Sequence, residues 1–276
     1  MKRASAIYRD LEGRQSGSAS DSDAGRRRMA HGGKSVYGAR IGVLMLDMEI
    51  PRIPGDMGNA GTWPFPVLFK TVRGANRNWI HEAPREDVFR AFRDDALDLV
   101  AQGADGIAVC CGMMSLYQEE LADSCQVPVV TSSLIQVPFV ERLLPPGKRV
   151  GILTVSTNLL KSKHLEAAGV APDTPVIGFE DSDEFIAMRQ RTDPIMDVAM
   201  VERETLAIAN KLVSDHPDLG ALVMECTNLP PFSRAASEAT GLPVYDIYSF
   251  LCWFHAGLAP RDFGHPGSAP RVWRER

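Results

Sequence analysis

Residues 106–111 read GIAVCC and residues 220–226 read GALVMEC, so the chain twice runs a short apolar segment directly into a cysteine. Upstream of each lies a second matching pair, residues 40–47 (RIGVLMLD) and residues 149–156 (RVGILTVS). Short apolar runs of this kind are typical of buried parallel strands. Their recurrence in the same order indicates an internal duplication.

The spacing of the landmarks after each cysteine also repeats. A Pro-Val pair follows Cys111 at Pro128 and follows Cys226 at Pro243, an interval of 17 residues in both halves. Each interval has room for one helix between the strand that ends in a cysteine and the next strand. The two halves are therefore predicted to be homologous α/β lobes.

The alternation of strands and helices predicts an α/β fold. It consists of two similar Rossmann-like lobes with parallel sheets, related by a pseudo-twofold axis, with the active site in the cleft between them. The predicted strands cover residues 41–46, 67–72, 106–110, 127–130, 149–155, 176–179, 221–225 and 244–245. The predicted helices cover residues 85–102, 115–124, 136–144, 159–168, 194–215 and 231–240.

Composition divides the chain into four predicted segments. Residues 1–38 are rich in Ser, Gly, Asp and Arg and lack hydrophobic periodicity, so they are predicted to form a flexible tail. Residues 39–148 form the first lobe and residues 149–256 the second, with a C-terminal helix that can return to the first lobe. Residues 257–276 are predicted to be a loose tail. Met29 is an alternative start of the natural chain.

The overall composition excludes several classes of protein. The formal charge is -5 and the sequence pI about 5.7, so no nucleic-acid partner is expected. No apolar run approaches the roughly 20 residues that span a bilayer, so no membrane partner is expected and a cytoplasmic location is predicted. The five cysteines include no CxxC pair and have no histidines at zinc-ligand spacing. Reduced thiols and no metal site are therefore expected.

Cys111 and Cys226 are the candidate catalytic residues. Ligands of parallel α/β sheets bind beyond the carboxyl ends of the strands, where both cysteines are predicted to lie. A pseudo-twofold axis would place the two thiols on opposite sides of one ligand, as the inversion of a carbon requires of its base and its acid. A helix N-terminus after each cysteine is expected to lower the thiol pKa toward neutrality, so that no metal or organic cofactor is required.

The turns after the two cysteines are predicted to bind the substrate. The backbone N–H groups of Gly112, Met113, Thr227 and Asn228 are candidates to hold a carboxylate and to stabilise the charge that grows as a proton leaves. No Arg or Lys lies within the two cysteine motifs. Main-chain N–H groups and hydroxyls are therefore expected to hold the carboxylate more than arginine does.

Around the cysteines, in residues 108–113 (AVCCGM) and 224–230 (MECTNLP), the chain resembles the aspartate/glutamate racemase superfamily. That superfamily includes hydantoin racemases, arylmalonate decarboxylases and maleate isomerases. The resemblance covers about residues 39–256. It implies an isomerase, namely a cofactor-independent racemase or epimerase. In such an enzyme two cysteines remove and deliver a proton at the α-carbon of the substrate. The substrate implied is a small carboxylate-bearing molecule, an amino acid or a derivative.

Three positions depart from the pattern of the amino-acid racemases in that superfamily. Gly112 and Met113 stand where those racemases have Asn-Thr, and Asn228 stands where they have His or Glu. Ordinary aspartate or glutamate is therefore not the expected substrate.

The resemblance also implies that the first strand of each lobe ends beside the substrate. The residues at these ends are Asp47 in the first lobe and Ser156 and Thr157 in the second. Their alternative role is the capping of a helix or a turn.

Three further features sit close to these motifs. The glycine-rich loop over residues 55–66 follows the first strand, and Trp63 and Phe65 favour its interpretation as a cover for the cleft. Cys110 and Glu225 directly precede the two candidate cysteines. Because side chains alternate along a strand, both are predicted to face away from the site.

Other functions stay open at the level of sequence. Within enzymes, the alternatives are a maleate-type cis-trans isomerase and a hydantoin racemase. An alternative of another class is a non-catalytic protein that binds carboxylates. The expected partners are a small carboxylate substrate and, as an open alternative, further copies of this chain in a homo-oligomer.

Overall fold

The computed structural model describes residue 30, residues 32–190 and residues 195–263. The first 29 residues of the predicted N-terminal tail, Met29 included, lie outside the described residues. So does the greater part of the predicted C-terminal tail.

The last residues of the predicted N-terminal tail lie against the first lobe. The Val36 N–H donates to the Gln102 carbonyl at 3.1 Å. The Lys34 ammonium donates to the Gly103 carbonyl at 3.1 Å and to the Asp105 carboxylate at 2.7 Å. The first lobe therefore begins a few residues earlier than its hydrophobic pattern indicates.

Four parallel strands form the sheet of the first lobe. They are β1 (Ile41–Leu46), β2 (Val67–Val72), β3 (Gly106–Val109) and β4 (Val129–Val130), arranged in the order β2-β1-β3-β4. The helices of this part of the chain are α1 (Arg77–Glu82), α2 (Arg85–Gln102), α3 (Gln118–Cys125) and α4 (Val137–Glu141). All six residues of β1 are buried, as expected of a central parallel strand that is covered on both faces.

The second lobe repeats this arrangement. Its strands are β5 (Arg149–Thr154), β6 (Val176–Gly178), β7 (Leu219–Met224) and β8 (Val244–Tyr245), in the order β6-β5-β7-β8. Its helices are α5 (Ser162–Ala167), α6 (Asp183–Gln190), α7 (Val198–Asp215) and α8 (Ser233–Thr240), and α9 (Ile247–Leu258) follows β8. The predicted fold class, α/β with two parallel-sheet lobes, is confirmed.

The strand registers make the two halves equivalent. Gly42 of β1 lies opposite Ile107 of β3, and Gly151 of β5 lies opposite Leu222 of β7. In each lobe the cysteine comes four residues after the paired residue of β3 or β7. The two cysteines therefore occupy the same place in the two lobes, beyond the carboxyl end of a central strand.

The C-terminal helix α9 packs on the first sheet. Phe250, Leu251 and Phe254 of α9 belong to the same buried cluster as Ile41 and Val43 of β1. The helix therefore covers the face of the first sheet that α2 and α3 leave open. None of the helices that the structure describes is long and apolar enough to cross a membrane.

The loop between β1 and β2 reaches the second lobe. Gly55 adopts a φ of 102°, and a Cβ at this position would lie 2.9 Å from the Pro231 Cα, so only glycine permits this approach. Trp63 is buried and stacks on Tyr248 of α9 at 5.8 Å, and Phe65 stacks on His255. The predicted cover over the cleft is therefore wrong for these two rings, which anchor the loop to α9.

Candidate active site

A cavity of about 360 Å³ lies between the carboxyl ends of β3 and β7. The cysteines at the two strand ends, Cys111 and Cys226, both line it. Cys226 is 7% exposed and Cys111 somewhat more. The volume falls within the usual range for sites that enclose small molecules. The duplicated fold thus brings both predicted catalytic residues to one cavity.

Cys110 lies beside the turn that follows Cys226 in the other lobe. Its Sγ lies 3.2 Å from the Thr227 Oγ1 and accepts from an Nη1 of Arg52 at 3.7 Å. It packs in the core of the first lobe, as predicted, but it also lines the cavity, so the prediction that it faces away from the site is wrong. Burial raises the pKa of its thiol. Cys110 therefore belongs both to the core and to the wall of the cavity.

Glu225 lines the cavity, so the prediction that it faces away is wrong. Its carboxylate accepts a hydrogen bond from the Thr154 hydroxyl at 2.9 Å and approaches Gly112 closely. Burial raises the pKa of this carboxyl, whereas the Thr154 hydrogen bond and the charge of Arg189 act in the opposite direction. The side chain crosses the cleft from the Cys226 strand to the turn after Cys111.

A hydrogen-bonded network fixes the turn after Cys226. The Asn228 side-chain oxygen accepts from the Arg189 guanidinium at 2.7 Å, and its amide donates to Asp56 at 2.7 Å. Asp56 in turn pairs with Arg52 at 3.0 Å. The Cys226 Sγ lies 3.6 Å from the Asn228 Oδ1. Two guanidinium groups are thereby held at this side of the cavity.

Both thiols are harder to ionise than a free cysteine. Burial raises the pKa of Cys111 to about 12, and the nearby Glu225 carboxylate adds to the rise. Burial also raises the pKa of Cys226 to about 12, although the charge of Arg189 opposes the rise. The lowering expected from a helix N-terminus is therefore wrong for this cavity, because desolvation is the larger effect.

Five of the seven predicted substrate-binding residues line the cavity, and they are Gly112, Met113, Ser156, Thr227 and Asn228. Asp47 does not: its carboxylate accepts from the Gly74 N–H at 2.8 Å. Thr157 also lies elsewhere, and its hydroxyl donates to Glu180 at 2.8 Å. The alternative capping role fits Asp47, which accepts from a backbone N–H of a turn, but not Thr157, which donates to a carboxylate.

Four charged or titratable residues at the cavity were not predicted. Arg52 comes from the loop after β1 and Arg189 from α6, and His81 and Glu82 come from the end of α1. None of them lies within a cysteine motif, so no local pattern marks them. Among the described residues, no group of three or more His, Cys, Asp or Glu side chains is placed to hold a metal ion.

The sequence relatives of this chain are named as dimethylsulfoniopropionate lyases. A dimethylsulfoniopropionate lyase from Durusdinium sp. clade D is 29% identical over 232 residues, which is 81% of this chain and 76% of the relative. Dimethylsulfoniopropionate lyase 7 of Emiliania huxleyi is 28% identical over 79% of this chain and 67% of its own length. Dimethylsulfoniopropionate lyase 3 of the same organism is 30% identical over 75% of this chain and 56% of its own length. No protein-family model matches the chain.

Solved structures share the fold at lower identity. Unliganded arylmalonate decarboxylase superposes with a TM-score of 0.58 at 16% identity, over 83% of this chain and 96% of that one. An aspartate racemase homologue from Pyrococcus horikoshii superposes with a TM-score of 0.51 at 16% identity, over 80% of this chain and 99% of that one.

The lyase relatives correct the predicted activity. The relatives and the structural neighbours are named as enzymes, which supports the prediction of an enzyme. The prediction of a racemase or epimerase is wrong, because the sequence relatives are named as lyases. The alternatives of maleate isomerisation, hydantoin racemisation and non-catalytic binding find no support in those names either.

The architecture, in contrast, agrees with the resemblance drawn from the cysteine motifs. Two parallel four-stranded sheets of the same strand order carry one cysteine each at a common cavity. The described chain has the two-lobed fold of the aspartate/glutamate racemase superfamily.

Proposed function

We propose that this chain is a lyase that splits dimethylsulfoniopropionate into dimethyl sulfide and acrylate. The observation that carries the proposal is the shared name of relatives that match three quarters or more of this chain. The two-thiol cavity supports it, because the elimination begins with the removal of a proton from a carbon next to a carboxylate.

The reaction needs one base and a leaving group. A thiolate takes a proton from the carbon next to the carboxylate, and the electron pair of that C–H bond forms the carbon–carbon double bond of acrylate. The C–S bond at the neighbouring carbon breaks, and its electrons leave with the sulfur as neutral dimethyl sulfide. The thiolate becomes a thiol, which must lose its proton to solvent before the next turnover. No redox partner enters this balance.

We assign the base to Cys226. Burial is the largest effect on the pKa of both thiols, but the charge that acts most on Cys226 is that of Arg189, which favours its thiolate. The charge that acts most on Cys111 is that of Glu225, which opposes its thiolate. Asn228 holds the Arg189 guanidinium beside Cys226. The same guanidinium can bind the substrate carboxylate and stabilise the charge that spreads onto it as the proton leaves.

The substrate itself assists the ionisation of the base. A sulfonium ion carries a full positive charge into a cavity where burial raises the pKa of Cys226 to about 12. An opposite charge in a desolvated site favours the ionised thiol. The thiolate is therefore expected to form mainly in the substrate complex, which protects the empty enzyme from side reactions.

The test is direct detection of both products. The purified chain is incubated with dimethylsulfoniopropionate, dimethyl sulfide is measured in the headspace by gas chromatography, and acrylate is measured in solution by NMR. Equal amounts of the two products are expected, and the Cys226→Ser variant is expected to lose at least about 1,000-fold of the rate. Release of neither product by folded parent enzyme would refute the proposal.

A further inference from the structure

The Glu225 carboxylate occupies the space in the cleft that a side chain at position 112 would need. A Cβ at position 112 would overlap the Glu225 carboxylate, and the carboxyl carbon itself would lie only 2.6 Å away. Real Cβ atoms do not approach other groups so closely, so the carboxylate can reach this point only because residue 112 is glycine. The carboxylate is therefore placed at the turn after Cys111 rather than withdrawn into the core.

The charges in the cavity are unevenly distributed. Arg52 and Arg189 lie on the side of the turn after Cys226, where they bind Asp56 and Asn228. On the side of the turn after Cys111, Glu225 supplies a carboxylate. Because Asp56 neutralises Arg52, Arg189 carries the net positive charge at the turn after Cys226. Negative charge at the other turn requires the ionised form of Glu225, which burial disfavours and a bound cation would favour.

The Glu225 carboxylate receives its hydrogen bonds from neutral groups. The donors are the Thr154 hydroxyl, at 2.9 Å, and the backbone N–H of Val155. The side chain is only 2% exposed, and the charge of Arg189 acts on it from a distance without a hydrogen bond between the two groups among the described residues. A buried carboxylate without an ion pair is costly, and a cation bound beside it would remove much of that cost.

We propose that Glu225 recognises the cationic end of the substrate, so that the cavity selects a zwitterion whose carboxylate is joined by two carbons to a methylated onium group. The inference rests on the proposed function, since it assigns the substrate class of that same site. The carboxylate end binds toward Arg189, and the onium end lies between Glu225 and the turn after Cys111.

The surroundings of Glu225 suit a methylated cation. A sulfonium or quaternary ammonium group has no N–H to donate, so charge and apolar contact are its means of recognition. Met113 and Val155 both line the cavity. Met113 directly follows Gly112, which the Glu225 carboxylate approaches, and the backbone N–H of Val155 donates to that carboxylate.

The experiment compares two ligands of the same shape, and NMR checks that neither releases acrylate during the titration. One is 3-(trimethylammonio)propanoate, and the other is 4,4-dimethylpentanoate, in which a carbon replaces the charged nitrogen. Isothermal titration calorimetry of the parent enzyme is expected to give at least about tenfold tighter binding of the cation, which corresponds to about 1.4 kcal/mol. Glu225→Gln keeps the shape and a hydrogen bond from Thr154 but removes the charge. It is expected to bring the ratio of the two affinities to near one, through weaker binding of the cation alone.

Glu202→Gln is the matched control. Glu202 is an exposed glutamate on α7 outside the cavity lining, so the same loss of charge there is expected to leave the ratio unchanged. If Glu225→Gln fails to fold, Glu225→Asp withdraws the carboxylate by one methylene and is expected to lower the ratio in part.

The inference is overturned by a parent enzyme that binds both ligands equally, or by a folded Glu225 variant that keeps the parent ratio. It is also overturned if both ligands weaken by the same factor, because that outcome indicates a structural role. Release of dimethyl sulfide is measured separately on the same preparations. An enzyme that releases dimethyl sulfide but shows no preference for the cation keeps the proposed function and loses this inference. An enzyme that prefers the cation but releases no dimethyl sulfide loses the proposed lyase activity and keeps the site for the onium group.

Discussion

Glu225 occupies in the second lobe the place that Cys110 occupies in the first. The backbone N–H of Cys110 donates to the Leu44 carbonyl of β1 at 2.8 Å, and the N–H of Glu225 donates to the Leu153 carbonyl of β5 at the same distance. Each residue directly precedes the cysteine that lines the cavity. The duplication has therefore kept the backbone position and changed the chemistry of the side chain.

Each of these two side chains reaches across to the other lobe. Cys110 contacts Thr227, and Glu225 lies against Gly112, so each touches the turn that follows the opposite cysteine. A symmetric pair of backbone positions thus gives an asymmetric cavity, with a neutral thiol at one end and a carboxylate at the other. Such asymmetry suits a substrate whose two ends differ in charge.

The first prediction separates the roles of the two cysteines. Elimination consumes one base, so Cys226→Ser should lower kcat/KM by at least about 1,000-fold, since a hydroxyl is a far poorer base at neutral pH. Cys111→Ser should lower it by a smaller factor, because Cys111 only lines the cavity. Initial rates of dimethyl sulfide release measure both. Equal losses in the two variants would contradict the assignment of Cys226 as the base.

Much of the fold could be predicted from the sequence because buried parallel strands leave continuous apolar runs. The strands at Ile41–Leu46 and Val67–Val72 match their predicted bounds, as does the helix Arg85–Gln102. The helix Asp183–Gln190 was missed, since it has no clear apolar stripe. The predicted helix over residues 194–215 begins at Val198 in the structure, where Asp197 caps it.

The candidate site was predictable only where the duplication marked it. Cys111 and Cys226 could be found because two landmarks repeat at one interval. Arg52 and Arg189 approach the cavity through loop and helix packing, which no short motif records. The activity could not be deduced, because a base beside the α-carbon of a carboxylate serves racemisation and elimination alike. The leaving group on the substrate decides between them.

The second prediction tests the space that Gly112 leaves for Glu225. In Gly112→Ala the new methyl group overlaps the carboxylate, so Glu225 must move and both stability and kcat/KM should fall. A loss of about 1–3 kcal/mol in the free energy of unfolding is expected from overpacking of this kind. Urea denaturation measures it. The additional change Glu225→Ala in the same chain should restore the stability but not the activity.

A matched control for this substitution lies on α9. A methyl group at position 257 would meet no neighbouring side chain within 4 Å among the described residues, so Gly257→Ala should fold at least as stably as the parent. Comparable destabilisation of both variants would mean that contact with Glu225 is not the cause.

The third prediction concerns Trp63, which stacks on Tyr248 and donates from its indole nitrogen to the Met57 carbonyl at 3.2 Å. Because the ring is buried, Trp63→Ala should lower the free energy of unfolding by about 3–5 kcal/mol. Chemical denaturation with an unchanged m-value would report the loss. A cleft cover would behave differently: its truncation would alter KM and kcat while leaving the stability nearly constant.

The last prediction follows from the buried thiol of Cys226, whose pKa in the empty enzyme is raised to about 12. The thiolate is the active form, so at about pH 8 only about one enzyme in ten thousand carries it. The ratio kcat/KM reports ionisation in the free enzyme. It should therefore rise about tenfold per pH unit between about pH 6 and about pH 9, with no plateau, because this range lies wholly below the raised pKa.

Dimethyl sulfide release is measured across the range, and the enzyme-free rate is subtracted at each pH. The intact fold is checked by circular dichroism at both ends. A plateau that begins near the ordinary thiol pKa of about 8.5 would show that burial does not suppress the thiolate, and the base would have to be sought elsewhere in the cavity.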